Sequence, residues 1–73
     1  MNTKLVLNNY ILEISSIEEY SFDSLLDNLN SKIYPRQIIE TLETINCIRK
    51  ISIYDKNDNH IITSSIEIFA EGQ

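Results

Sequence analysis

Pro35-Arg36-Gln37-Ile38-Ile39-Glu40-Thr41-Leu42-Glu43-Thr44-Ile45-Asn46 (residues 35–46) is the stretch on which the fold turns. Ile38, Ile39, Leu42 and Ile45 recur at helical spacing and make one apolar stripe. Pro35 suits the first turn of a helix, where its missing N–H leaves no backbone bond unmade. Asn46 can close the helix as a left-handed cap. The spacing therefore predicts an amphipathic helix over about 35–46, which needs an apolar surface to cover.

The preceding residues supply a second helix with the same need. Phe22, Leu25, Leu26 and Leu29 fall at i, i+3, i+4 and i+7. Two starts are available. Ser16-Ile17-Glu18-Glu19 has the spacing of a capping box, and Ser21-Phe22-Asp23 places a carboxylate where the helix dipole favours it. The helix is predicted over 17–29 or 21–30, with Asn28, Asn30 and Ser31 ending it. Lys32-Ile33-Tyr34 connects it to the next.

Both flanks read as strand. In residues 4–15, Asn8-Asn9 can form the two-residue turn of a hairpin between Leu5–Leu7 and Tyr10–Ile14, since Asn tolerates positive φ. The alternative is one long strand with Val6, Asn8, Tyr10, Leu12 and Ile14 on a single face. After the helices, Cys47–Tyr54 alternates at Ile51 and Ile53, Asp55–Asn59 is a polar turn, and His60–Phe69 alternates at Ile62, Ser64, Ile66 and Ile68. Ala70–Gln73 is expected to fray. The order is β-β-α-α-β-β, and the expected fold is a single α+β domain over residues 1–73, its two helices packed on one face of an antiparallel sheet.

Composition narrows the function classes. At 73 residues with one Gly and one Pro, the chain is neither low-complexity nor disordered in character, yet it has little material for a deep catalytic cleft. Its one cysteine, Cys47, excludes an internal disulfide, and the apolar run at the N-terminus is too short for a signal-peptide core or a membrane span. The expectation is a cytoplasmic protein with no membrane partner. The formal net charge is −5, and residues 1–31 hold Lys4 alone against Glu13, Glu18, Glu19, Asp23 and Asp27. That balance weakens general attraction to nucleic acid and favours a partner with a basic surface.

Each candidate for chemistry has a plainer explanation. Asp55-Lys56-Asn57-Asp58-Asn59 matches the first oxygen ligands of a calcium loop, but His60 stands where the sharp-turn Gly belongs and Ile66 where the bidentate Glu belongs. The stretch reads as a hairpin turn. His60 is the sole His and is expected exposed beside that turn; it is the side chain that would carry any response near neutral pH. Cys47, at a helix-to-strand junction, is expected to be a small buried hydrophobe. No catalytic residue, cofactor or metal site is expected.

The first functional expectation is thus a protein-binding module, a stoichiometric inhibitor or regulator, presenting Glu18, Glu19, Asp23 and Asp27 as an acidic patch. Small acidic inhibitors carried by mobile elements, anti-CRISPR proteins among them, share this size and charge as a class, although no residue here carries that comparison. The second is a winged-helix-like DNA-binding regulator using Lys32, Arg36, Arg49 and Lys50. The preceding strand and the acidic balance speak against it, so nucleic acid is the less favoured partner. The third is a structural homodimer joined through edge strands.

Overall fold

In a computed structural model, which describes residues 1–66, the chain forms an antiparallel sheet with strands β1 (Asn2–Val6), β2 (Tyr10–Ser16), β3 (Ile48–Asp55) and β4 (His60–Ser65) in the order β1-β2-β3-β4. Between β2 and β3 lie a 3₁₀ turn at Asp23–Leu25, helix α1 (Leu26–Asn30) and helix α2 (Pro35–Leu42). The expected α+β architecture is present. The expected continuation of the last strand to Phe69, and the tail at Ala70–Gln73, lie outside the described residues.

The hairpin reading of residues 4–15 holds, and the single long strand does not. Val6 pairs with Ile11, and the Leu7 N–H donates to the Tyr10 carbonyl at 2.8 Å, leaving Asn8-Asn9 as the two-residue turn. The positive φ expected of those asparagines is absent, however. The turn is instead held from outside, where the Asn8 N–H donates to Asn30 Oδ1 at the end of α1, 2.7 Å away. Lys56 Nζ, from the β3–β4 turn, also donates to the Leu7 carbonyl at 2.8 Å.

The register separates the two faces of the sheet. Leu12 opposes Ile53 and Ile14 opposes Ile51, and all four are fully buried. Phe22 and Leu29 from the first helical segment, and Ile38, Ile39 and Leu42 from α2, complete this core. Burying side chains of this size stabilises by about 1.5–3 kcal/mol each, which is what holds so small a domain against its chain entropy. Both apolar stripes do cover one face. Glu13 and Lys50, on the other face, are exposed.

Three local expectations need correction. Ser16 does not cap a helix: it is the last residue of β2, it is buried, and its hydroxyl donates to the Glu18 carbonyl at 2.7 Å. The strand wins because its backbone N–H pairs with the Met1 carbonyl at 2.7 Å while Leu12 and Ile14 enter the core. Helical structure begins only at Asp23, nearer the second of the two predicted starts. Helix α2 stops at Leu42, with Glu43 as its C-cap, and Asn46 is not a left-handed cap. The Thr44 hydroxyl donates to the Thr41 carbonyl at 2.8 Å, and the Ile45 N–H to Leu42 at 3.0 Å, so local turns replace the last helical turn.

The turn Asp55–Asn59 is a three-residue hairpin loop. Asp55 and Asn59 pair through an N–H···O bond of 2.9 Å, the Asp58 N–H donates to the Asp55 carbonyl at 3.0 Å, and Asp58 takes φ 68°. That is a tight turn followed by one left-handed residue, a common three-residue closure. A bulge follows. Ile53 faces Ile62 but Tyr54 faces His60, so Ile61 is the extra residue on β4. The bulge inverts the alternation, bringing His60 to the open face with Thr63.

Candidate functional site

The excursion from β2 to β3 leaves and returns at one end of the sheet, where the Ile17 N–H donates to the Cys47 carbonyl at 2.8 Å. Phe22, Leu29, Ile38, Ile39 and Leu42 turn inward, and the charged residues line the outside together with the exposed Ile17, Ile33 and Tyr34. Glu18, Glu19, Asp23 and Asp27, the predicted acidic patch, are all exposed. Asp23 lies in the 3₁₀ turn and Asp27 in the first turn of α1. Sequence reasoning missed that Glu40 and Glu43, also exposed, extend the acidic character onto α2. The signal was there for Glu40, which occupies the side of the helix away from Ile38, Ile39 and Leu42, whereas Glu43 is the C-cap, one turn beyond Ile39. Glu43 Oε2 accepts from the Ser64 hydroxyl at 2.8 Å, which ties the end of α2 to β4. Against these carboxylates the same excursion holds Lys32 and Arg36.

The predicted nucleic-acid set is divided by the fold. Arg36 is exposed at the start of α2, and Lys32 is half-buried in the connector before it. Lys50 belongs to the opposite, uncovered face of the sheet, next to Ser15 of β2. Arg49 folds back, its Nη1 donating to the carbonyls of Asn46 at 2.7 Å and Ile48 at 3.0 Å. These four do not form one basic surface.

The remaining candidates have structural employment. Cys47 is buried, as read from the sequence. Asp55 Oδ1 accepts from the N–H groups of Asn57 at 2.8 Å and Asn59 at 2.9 Å, and Oδ2 from the Asn59 side-chain amide at 3.2 Å. Its oxygens close the hairpin. The Asn59 backbone N–H, helped by Asn57 and the Asn59 amide, holds the Asp55 carboxyl below the usual carboxylate range against an opposing push from partial burial. Among the described residues no three His, Cys, Asp or Glu side chains are grouped as metal ligands.

No protein-family model matches this chain, and no curated protein or solved structure is significantly similar to it. Function therefore has to be argued from the two surfaces themselves. The helical side is acidic. The open side carries three cross-strand rows of mixed polarity, and its Tyr54 ring meets the His60 imidazole edge-to-face at 5.5 Å. His60 is exposed beside the turn, as expected, but it is not idle: Nε2 lies 2.6 Å from Thr63 Oγ1. At the end of the sheet, β1 has β2 as its one strand neighbour among the described residues, and Lys4 stands at the centre of that edge. A charge there discourages edge-to-edge pairing.

Proposed function

We propose that this protein is a small protein-binding module that inhibits or regulates a macromolecule stoichiometrically, docking its acidic helical side on a basic surface. One observation carries the reading: residues 17–46 hold six exposed carboxylates, Glu18, Glu19, Asp23, Asp27, Glu40 and Glu43, against the two cations Lys32 and Arg36. Exposed like charges lower stability slightly through mutual repulsion, and apart from Glu43 at Ser64 and the first-turn Asp23 and Asp27 they have no partner role inside the fold. A cationic partner would turn that repulsion into attraction, chiefly by speeding encounter. The helical side needs no conformational change to present these groups, because the apolar stripes behind them are fixed in the core.

The test is capture from a host lysate with the full chain as bait, followed by binding measurements on the isolated partner. The pair Asp23→Lys and Asp27→Lys should slow association at least about tenfold at low salt, and added salt should weaken the native complex. A partner bound equally by the native chain and the charge-reversed variant would refute the acidic docking surface. Salt-sensitive DNA binding lost on Arg36→Ala would replace the reading with nucleic-acid recognition.

A further inference from the structure

The face of the sheet left uncovered by the helices holds a concavity of about 490 Å³, lined by Asn2, Lys4, Glu13, Ser15, Lys50 and Ser52 among others. Strand register sets its rows. Asn2, Ser15 and Lys50 run across β1, β2 and β3, and Lys4, Glu13 and Ser52 run beside them. None of these side chains serves the hydrophobic core, which lies on the other face. Lys4 and Lys50 are exposed on the strands either side of β2, on a diagonal about 12 Å apart at the backbone, so their long stems can converge on one group above β2 between Glu13 and Ser15. Glu13 is the one carboxylate in the wall. Its Oε1 accepts from the Tyr54 hydroxyl at 3.5 Å, a contact on the side of Ser52 away from Lys50.

Ser52 is the unusual member of the wall. It is 7% exposed, on a face that is otherwise largely open. Its Oγ lies 3.0 Å from Thr63 Oγ1, which lies 2.6 Å from His60 Nε2. These hydroxyls have one proton each, so the chain has a direction. When Nε2 carries a proton it donates to Thr63, Thr63 donates to Ser52, and the Ser52 proton is left to point elsewhere. When Nε2 is bare the order reverses, and Ser52 spends its proton on Thr63. The titratable and charged groups around His60 are Tyr54 from β3, Glu13 from β2 behind it, and Asp55, Lys56 and Asp58 in the adjoining turn.

We propose that this concavity is a binding site for a small oxyanion, a tetrahedral sulfate or phosphate group or a carboxylate, held by the ammonium groups of Lys4 and Lys50 and by the Ser52 hydroxyl. Protonation of His60 favours binding by freeing the Ser52 proton to donate to the anion. The site lies on the face opposite the acidic helical side, so it stands or falls separately from the protein-binding reading.

Sodium sulfate titrated into the ¹⁵N-labelled chain, at ionic strength held constant with chloride, tests it by two-dimensional NMR. Sulfate keeps its charge across the working range, so any pH dependence belongs to the protein. Saturable shifts are expected at the amides of Ser15, Lys50, Ser52 and Thr63. Lys4→Gln and Lys50→Gln should each weaken binding at least about threefold, with a dispersed spectrum showing that the fold persists. Affinity should be higher in mildly acidic than in mildly alkaline buffer. Thr63→Val keeps the His60 charge but breaks the hydroxyl chain, and should remove most of that difference. Acetate run in parallel assigns the carboxylate or the tetrahedral preference. Shifts that chloride reproduces, or saturation untouched by both lysine substitutions, would overturn the site. A full pH response in Thr63→Val would overturn the coupling through Ser52.

Discussion

Replacing Leu12 and Val6 by alanine, one at a time, asks whether residues 4–15 are folded as a hairpin or run as one strand. In a single strand both side chains would share a face. In the hairpin Leu12 points into the core at 0% exposure, while Val6 pairs with Ile11 on the open face and is 63% exposed. Leu12→Ala removes three buried carbons, about 2.4 kcal/mol of transfer free energy at roughly 0.8 kcal/mol each. The cavity left beside Ile53 and Leu5 adds to this, giving a cost of about 3–4 kcal/mol. Val6→Ala removes two methyl groups that are about one-third buried, a cost of about 0.5 kcal/mol. A domain of 73 residues has a total stability of roughly 4–11 kcal/mol, so the first change threatens the fold and the second does not. Urea unfolding followed by far-ultraviolet circular dichroism measures both. A Val6→Ala cost equal to that of Leu12→Ala, or a Leu12→Ala cost under about 1 kcal/mol, would refute the two-faced hairpin.

Two further predictions concern the β3–β4 turn. Asp58→Gly should stabilise the chain by about 0.5 kcal/mol, because Asp58 holds φ 68° where glycine has no steric penalty, and Asp58→Val should destabilise it by about 1–2 kcal/mol. Thermal melts would show the two changes moving in opposite directions. The Asp55 carboxyl is held below its ordinary range, so it releases its proton more readily in the folded chain than in the unfolded one. Its contribution is therefore present above the unfolded carboxylate range and is lost as pH falls through the folded value. Asp55→Asn should flatten the acid limb of a plot of urea midpoint against pH, and an unchanged limb would mean that the Asn57 and Asn59 contacts do not persist in solution.

Much of this molecule follows from local patterns. The apolar stripes at Phe22, Leu25, Leu26 and Leu29 and at Ile38, Ile39 and Leu42, the alternation at Ile51 and Ile53, and the polar run Asp55–Asn59 each act within a few residues. They gave two helical segments, four strands and the burial of Cys47. Exposure of Asp23 and Asp27 was legible for the same reason, since the side of a helix away from its apolar stripe must face solvent, whereas Glu18 and Glu19 are exposed in the loop ahead of it. The boundaries were not. Ser16 matches the start of a helix as well as the end of a strand, and the pairing of its N–H with Met1, fifteen residues away, settled the matter. Helix α2 lost its last turn to local hydroxyl bonds at Thr44 that spacing does not reveal.

By itself, then, the sequence determined the kinds of element, their order and which side of each helix is wet, because propensity and periodicity are properties of neighbouring residues. Tertiary structure alone decided that β2 and β3, separated by both helices, become the central pair, since only folding brings Leu12 to Ile53 and Ile14 to Ile51. It also placed Lys50 and Arg36 on opposite sides of the sheet. Finally, the bulge at Ile61 rotated His60 onto the face of Thr63 and Ser52, because one extra residue in a strand exchanges the two faces for everything before it.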